Sequence, residues 1–178
     1  APTLNSKKNL LDSGIVNHIE VTGNTVIDAL LNIVKKQKLD KIKKEIKLKK
    51  YILVTVHRRE NWGDNLAEIA YGLKKILDKF DDLSILIPMH PNKIVRKTFK
   101  SILGDENRAL LIEPLPYDKF INAIYKCEFI LSDSGGLQEE APSLNKPVLI
   151  LRDTTERPEA IIAGTAKIIG TKRSDVFE

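Results

Sequence analysis

From residue 51 onward, apolar residues fall in two alternating rhythms. Short runs, wholly apolar and rich in β-branched side chains, are separated by longer stretches whose apolar positions recur every three or four residues. The first run, Tyr51-Ile52-Leu53-Val54-Thr55-Val56, predicts a strand buried on both faces. Further strands are predicted over 83–89, 109–113, 129–132, 148–151 and 166–169. Between the first two, Leu66, Ile69, Leu73, Ile76 and Leu77 share one helical face and predict a helix over 66–80. Helices are likewise predicted over 93–103, 117–126, 137–144 and 156–163. Strict alternation of this kind implies an α/β fold: a Rossmann-like parallel sheet with helices on both faces.

Before residue 51 the pattern changes. Val26, Ile27, Leu30, Leu31, Val34 and Leu39 fall at helical spacing and predict a long helix over 24–50, capped by Asn24 or Thr25. Upstream, the apolar residues of 15–21 predict a short strand ending at Thr22-Gly23-Asn24.

Composition narrows the class. With 178 residues, 42% of them hydrophobic and 30% charged, the chain suits one domain with a real core. It has no run of twenty apolar residues, so no membrane span is expected. The single cysteine, Cys127, rules out an internal disulfide framework and a Cys-cluster metal site. The chain opens Ala1-Pro2-Thr3 without the basic-then-apolar pattern of a secretory leader, so a reducing cytoplasm is expected. The net charge of +5 is local: residues 1–50 hold eleven Lys against five acids, and the rest of the chain is nearly neutral. A Lys run over 35–50 without interleaved Arg or aromatics reads as a solvated helix face, and no nucleic-acid partner is expected.

Candidate chemistry lies just after the predicted strands, where ligands sit in such sheets. Ser132-Asp133-Ser134-Gly135-Gly136-Leu137-Gln138-Glu139-Glu140 carries two glycines between a strand and a helix. Backbone N–H groups there can approach an anion, Ser134 adds a hydroxyl donor, and Glu140 can accept from the vicinal hydroxyls of a ribose. The plainer alternative is a tight turn with a capped helix. His57-Arg58-Arg59-Glu60-Asn61 suits a pyrophosphate through bidentate arginines; the alternative is a surface turn in which Arg and Glu pair. In Arg152-Asp153-Thr154-Thr155-Glu156-Arg157-Pro158-Glu159, Arg157 is expected in the first turn of a helix, facing a ligand or pairing with Glu156 or Glu159. Phe120 suits base stacking or the core, and His90 a phosphate or an ordinary loop. His18 and Cys127 read as structural. No zinc-type spacing links His57, His90 and the acids, so no metal is expected. Neither G-x-G-x-x-G nor G-x-S-x-G occurs.

Four long motifs in order carry a resemblance: residues 22–30 (Thr-Gly-Asn-Thr-Val-Ile-Asp-Ala-Leu), 57–61, 133–142 and 152–160. Together they closely resemble the non-hydrolysing UDP-N-acetylglucosamine 2-epimerases, over essentially the whole chain. The resemblance implies the C-terminal half of a glycosyltransferase-B-type two-domain fold. It implies 1–28 as the tail of a first domain, 29–50 as a Lys-rich interdomain helix, and 51–178 as a Rossmann-like UDP-binding domain that stops before the family's last helix. It implies interconversion of UDP-N-acetylglucosamine and UDP-N-acetylmannosamine by loss and re-addition of UDP, without a redox cofactor, in a homodimer. By resemblance His57 is the active-site histidine near the pyrophosphate, and Ser134, Gly135 and Gly136 form the phosphate turn. Glu140 is the ribose carboxylate, Phe120 and the Leu115 main chain border uracil, and Arg157 binds substrate. His90 borders a second, regulatory UDP-N-acetylglucosamine site. The residues that move the C2 proton belong to the family's other half, so the chain alone is expected to bind UDP without epimerising. The alternative is the nucleotide-binding domain of a glycosyltransferase, which shares the fold and the Ser-Gly-Gly and Glu arrangement.

Overall fold

The computed structural model describes residues 1–37 and 48–178. Six parallel strands form one sheet: β1 (Tyr51–Thr55), β2 (Ser84–Pro88), β3 (Ala109–Ile112), β4 (Ile130–Ser132), β5 (Val148–Ile150) and β6 (Ala166–Ile168). Their order is β3-β2-β1-β4-β5-β6. The chain therefore builds outward from β1 in one direction, then returns to its other side, and the order reverses between β1 and β4. At that reversal the connections leave to opposite faces and open a crevice beyond the carboxyl ends of the strands.

Side-chain alternation along each strand feeds two cores. Ile52, Val54 and Val56 pack with Leu66, Ile69, Leu73 and Leu77 of α3 (Asp64–Lys79) and with Val95, Phe99 and Leu103 of α4 (Lys93–Leu103). Tyr51 and Leu53 point the other way, toward Leu30 of α2 (Thr25–Gln37) and Ile121, Ala123 and Ile124 of α5 (Tyr117–Lys126). The predicted α/β architecture with helices on both faces is the one observed, and two helices, 93–103 and 117–126, keep their predicted ends.

Several local expectations change. Residues 15–21 form no strand: Ile15 and Val16 are exposed, and His18, read as structural, is exposed with φ 58°. β-branched composition favours a strand only where a neighbouring strand takes its backbone bonds, and this segment instead ties Thr22 N–H to the Ala1 carbonyl. A helix missed by the pattern, α1 (Leu4–Asp12), precedes it; Thr3 caps it by accepting from Ser6 N–H, and it buries none of its residues. The long helix begins as expected, with the Asn24 side chain accepting from Val26 N–H, but residues 48–50 are not helical. Most of the Lys run, 38–47, lies outside the described residues. The predicted helix over 137–144 splits into α6 (Leu137–Glu140) and a 3-10 turn, Pro142–Leu144, because Pro142 has no N–H to continue the ladder. The helix α7 (Pro158–Ile162) starts on its proline, and α8 (Arg173–Phe177), which the pattern did not predict, packs on α3. Among the described residues, no helix is long and apolar enough to cross a membrane.

Two substitutions separate the forces in the core. Tyr51 is buried and its hydroxyl donates to the Ala123 carbonyl at 2.8 Å. Phe99 is fully buried and purely apolar. Tyr51→Phe is expected to cost about 1 kcal/mol, the net worth of one hydrogen bond. Phe99→Ala is expected to cost about 3–5 kcal/mol through lost burial and a cavity. Urea denaturation of both variants beside the parent chain measures the difference.

Candidate functional site

The chemistry-bearing turns meet at the reversal between β1 and β4. Thr55 of β1 and Ser132 of β4 are in register, and their hydroxyls bond at 2.7 Å. One residue further, Asp133 is fully buried. Its carboxylate accepts from His57 N–H at 3.0 Å, Arg58 N–H at 2.8 Å and Asn61 Nδ2 at 3.0 Å. It also lies 3.1 Å from His57 Nδ1. Burial works against the charge, but the His57, Arg58 and Asn61 donors outweigh it and hold Asp133 below the usual carboxylate range. Asn61, itself buried, also donates to the Leu151 carbonyl, which ties the end of β5 to the same knot.

Above this knot, His57 keeps 42% of its side chain exposed and lines an open pocket of about 250 Å³. His90, Leu115 and Phe120 line it too, from the ends of β2 and β3 and the start of α5. The His57 and His90 rings stack at 6.0 Å, and His90 Nδ1 accepts from Asn92 N–H. Four of the residues singled out from sequence thus share one pocket.

The glycine turn adjoins it. A Cβ on Gly136 would lie 3.8 Å from Ser134 Oγ and 3.9 Å from Glu140 Oε1, so hydroxyl and carboxylate flank that backbone. Burial, with neighbouring Glu139 as the lesser cause, pushes the Glu140 carboxyl up. A Cβ on Gly135 would meet Glu156 Oε1 at 2.6 Å and Arg58 Nη2 at 3.5 Å. Only glycine lets the Glu156 carboxylate and Arg58 approach the turn this closely.

The arginines are engaged with carboxylates. Arg58 pairs with Glu156 at 2.7 Å, while Arg152, largely buried, bridges Glu156 and Glu60. Arg58 thus pairs with a distant glutamate rather than with Glu60 of its own turn, which Arg152 holds. Arg157 stands at the N-cap of α7 rather than inside its first turn, and pairs with Glu139, neither of the acids expected. Its backbone N–H donates to Thr155 Oγ1, whose hydroxyl bonds Gln138. Arg157 lines a cleft of about 460 Å³ with Asn24, Glu139, Glu156 and the start of α1. His57, Ser134, Gly135, Gly136, Glu140 and Arg157 accordingly lie along one edge of the sheet. The residue that sequence reasoning passed over is Asp133; a lone acid inside a glycine-turn motif gives no sign of burial until β1 and β4 are known to be neighbours.

A hollow of about 600 Å³ lies at the opposite edge, lined by Ile52, Phe80, Phe129, Leu149 and Phe177. It sits before the strands rather than beyond them and is mostly apolar; of the charged residues at its margin, Lys50, Asp82, Glu128 and Glu178, the first two pair with each other. Cys127 is buried, with its thiol pushed up to about 12 chiefly by burial. Among the described residues, no group of three or more His, Cys, Asp or Glu is placed to hold a metal ion.

Glu156 makes the electrostatics measurable. Burial opposes its ionisation, but Arg152 and Arg58 lower its pKa to about 2. A depressed carboxylate stabilises the fold above its unfolded pKa of about 4.3 and loses that contribution as pH falls through the folded value. Following the Glu156 carboxyl carbon by NMR should give a midpoint near 2. In Glu156→Gln the share of acid destabilisation between about pH 4.3 and 2 that comes from this group should vanish.

Comparison with known proteins identifies the family. The family model for UDP-N-acetylglucosamine 2-epimerase matches residues 1–178. The UDP-N-acetylglucosamine 2-epimerase of Neisseria meningitidis serogroup A is 46% identical across all of this chain and 50% of its own length. That of Bacillus subtilis is 45% identical across all of this chain and 47% of its own. The chain thus spans about half the length of the curated relatives it matches. The crystal structure of the Neisseria meningitidis enzyme bound to UDP-GlcNAc superposes with a TM-score of 0.93 over 99% of this chain and 50% of that one. The Methanocaldococcus jannaschii enzyme in complex with UDP-GlcNAc and UDP, 34% identical, gives 0.86 over 99% of this chain and 51% of that one. Matched over its full length by the family and at about 45% by its members, the chain belongs to the UDP-N-acetylglucosamine 2-epimerase family.

Proposed function

We propose that this chain supplies the UDP-binding half of an enzyme that interconverts UDP-N-acetylglucosamine and UDP-N-acetylmannosamine. The observation that carries the reading is the convergence of the His57, Ser134–Gly136 and Arg157 turns at one sheet edge, in a chain whose relatives are solved with UDP-GlcNAc or UDP. In this reading the N–H groups of Gly135 and Gly136 and the Ser134 hydroxyl hold the diphosphate. Glu140 accepts from the ribose hydroxyls, and the Leu115 backbone and Phe120 ring border uracil. His57 meets the bridge between sugar and diphosphate, where it can stabilise or protonate the departing phosphate oxygen. Arg157 contacts substrate from the 460 Å³ cleft, and His90 borders a second, regulatory nucleotide-sugar site.

The reaction balances without a redox cofactor. A base removes the C2 proton, the C1–O bond to UDP breaks, and 2-acetamidoglucal remains bound. UDP then adds back at C1 as C2 is reprotonated on the opposite face. The C2 acid and base are assigned to the other half of the relatives' length, facing this one across a cleft. Residues 1–28 then belong to that first domain, 29–50 connect, and 51–178 form the UDP domain. A cytoplasmic homodimer completes the reading; the buried, weakly acidic Cys127 thiol suits a reducing compartment.

Titration calorimetry tests the binding role: the 178-residue chain should bind UDP saturably and should not convert UDP-N-acetylglucosamine. Gly135→Ala, whose Cβ would press Glu156 and Arg58, should weaken UDP by about tenfold or more, equivalent to about 1.4 kcal/mol. Grafting this chain in place of the matching half of the Bacillus subtilis enzyme tests the reaction. The chimera should incorporate solvent deuterium at C2 without any acceptor. A folded chimera that instead transfers the sugar to an acceptor, without C2 exchange, would establish a glycosyltransferase.

A further inference from the structure

The buried Asp133 does more than join two turns, because its two oxygens share the His57 N–H but otherwise have different partners. Oδ2 accepts from His57 N–H at 3.0 Å, Arg58 N–H at 2.8 Å and Asn61 Nδ2 at 3.0 Å. Oδ1 faces His57 itself, with its backbone N–H at 3.1 Å and its ring Nδ1 at 3.1 Å. A carboxylate can only accept, so the ring nitrogen opposite Oδ1 must carry hydrogen. A neutral imidazole holds one hydrogen, which leaves its other nitrogen, Nε2, as a bare lone pair. With Nδ1 engaged on the buried side, Nε2 is the nitrogen left to the pocket shared with His90, Leu115 and Phe120.

We infer that Asp133 is the positioning residue of this site: it fixes the neutral His57 ring as the Nδ1–H tautomer and so presents Nε2 as the atom that, once protonated, gives its proton to the phosphate oxygen leaving C1 and takes the same proton back when that oxygen re-adds. Asp133 touches no substrate in this arrangement; it acts through His57. The inference deepens the function proposed above and relies on it for the catalytic consequence, while the tautomer is a property of the chain itself.

Asp133→Asn reverses the polarity at one oxygen. The amide oxygen favours the Oδ2 place, where three donors converge, over the Oδ1 place, which has only a share of the His57 N–H, so the amide NH2 takes the Oδ1 place facing Nδ1. Nδ1 must then accept, the ring hydrogen moves to Nε2, and the lone pair is lost to the pocket. The same logic costs a catalytic histidine its function when its buried aspartate is amidated elsewhere.

Long-range nitrogen–proton NMR of the His57 ring in the 178-residue chain reads the tautomer directly. The parent chain should show hydrogen on Nδ1 and none on Nε2 once the ring is neutral, and Asp133→Asn should show the reverse. In the Bacillus subtilis chimera the same substitution should lower kcat on the order of 10²–10⁴-fold, as expected for loss of a general acid–base, with KM little changed. Asn61→Ala, which removes one Oδ2 donor and leaves the ring contact, should keep the parent tautomer. A parent chain bearing its neutral-ring hydrogen on Nε2 overturns the inference, and does so even if Asp133→Asn fails to fold. A folded Asp133→Asn with the parent tautomer overturns it equally. Failure to bind UDP with the Nδ1–H tautomer intact would instead refute the functional reading and leave this one standing.

Discussion

Everything at the carboxyl edge of the sheet depends on one buried carboxylate. Asp133 has no exposed surface, and an isolated charge so placed would be strongly disfavoured. It is tolerated because two backbone N–H groups, one amide and one imidazole converge on it. Those donors come from the turn after β1, and Asp133 comes from the turn after β4, at the point where the strand order reverses. The two turns that carry most of the candidate chemistry are therefore held by the same four contacts. Asn61 extends the knot to Leu151 after β5, so three strand ends share one polar centre beneath the pocket.

A second constraint is the matching of cations to anions around the glycine turn. Arg58 and Arg152 share Glu156, Arg152 also holds Glu60, and Arg157 holds Glu139. These pairs fix long side chains near Ser134–Gly136 without burying unpaired charge. They also mean that positive charge at this edge is balanced locally. A phosphate group would enter the proposed site in competition with Glu156, whose carboxylate lies close against Gly135. In the proposed site, selectivity for an anion then rests more on the N–H groups of the turn than on net charge.

The two edges of the sheet differ in kind. The amino edge has the larger and more apolar hollow, with Lys50, Asp82, Glu128 and Glu178 among its lining. The carboxyl edge has smaller spaces, one lined by His57 and His90 and another by Arg157, with Ser134 and Glu140 flanking the Gly136 backbone. Volume alone favours the amino edge; strand polarity and the position of the reversal favour the edge proposed to bind the nucleotide.

Read alone, the sequence established the alternation of strands and helices, because short apolar, β-branched runs such as Tyr51–Val56 and faces such as Leu66–Leu73–Leu77 at a period of 3.6 are visible in local composition and spacing. It also showed that His57, Ser134 and Arg157 each follow a strand, which suffices to put them on one edge of a parallel sheet. Where it misled, a local signal lacked its partner: residues 15–21 have strand composition but no strand beside them, and Pro142 broke a helix that apolar spacing would have continued. Which turns touch was decided only by the tertiary structure. His57 and Asp133 are 76 residues apart, and only the adjacency of β1 and β4 brings them together. Burial of Asp133, the pairing of Arg58 with Glu156 and of Arg157 with Glu139, and the nitrogen His57 offers to its pocket all follow from that adjacency. Spacing along a chain encodes local periodicity, whereas charge burial and hydrogen-bond polarity depend on which distant segments the sheet order sets side by side.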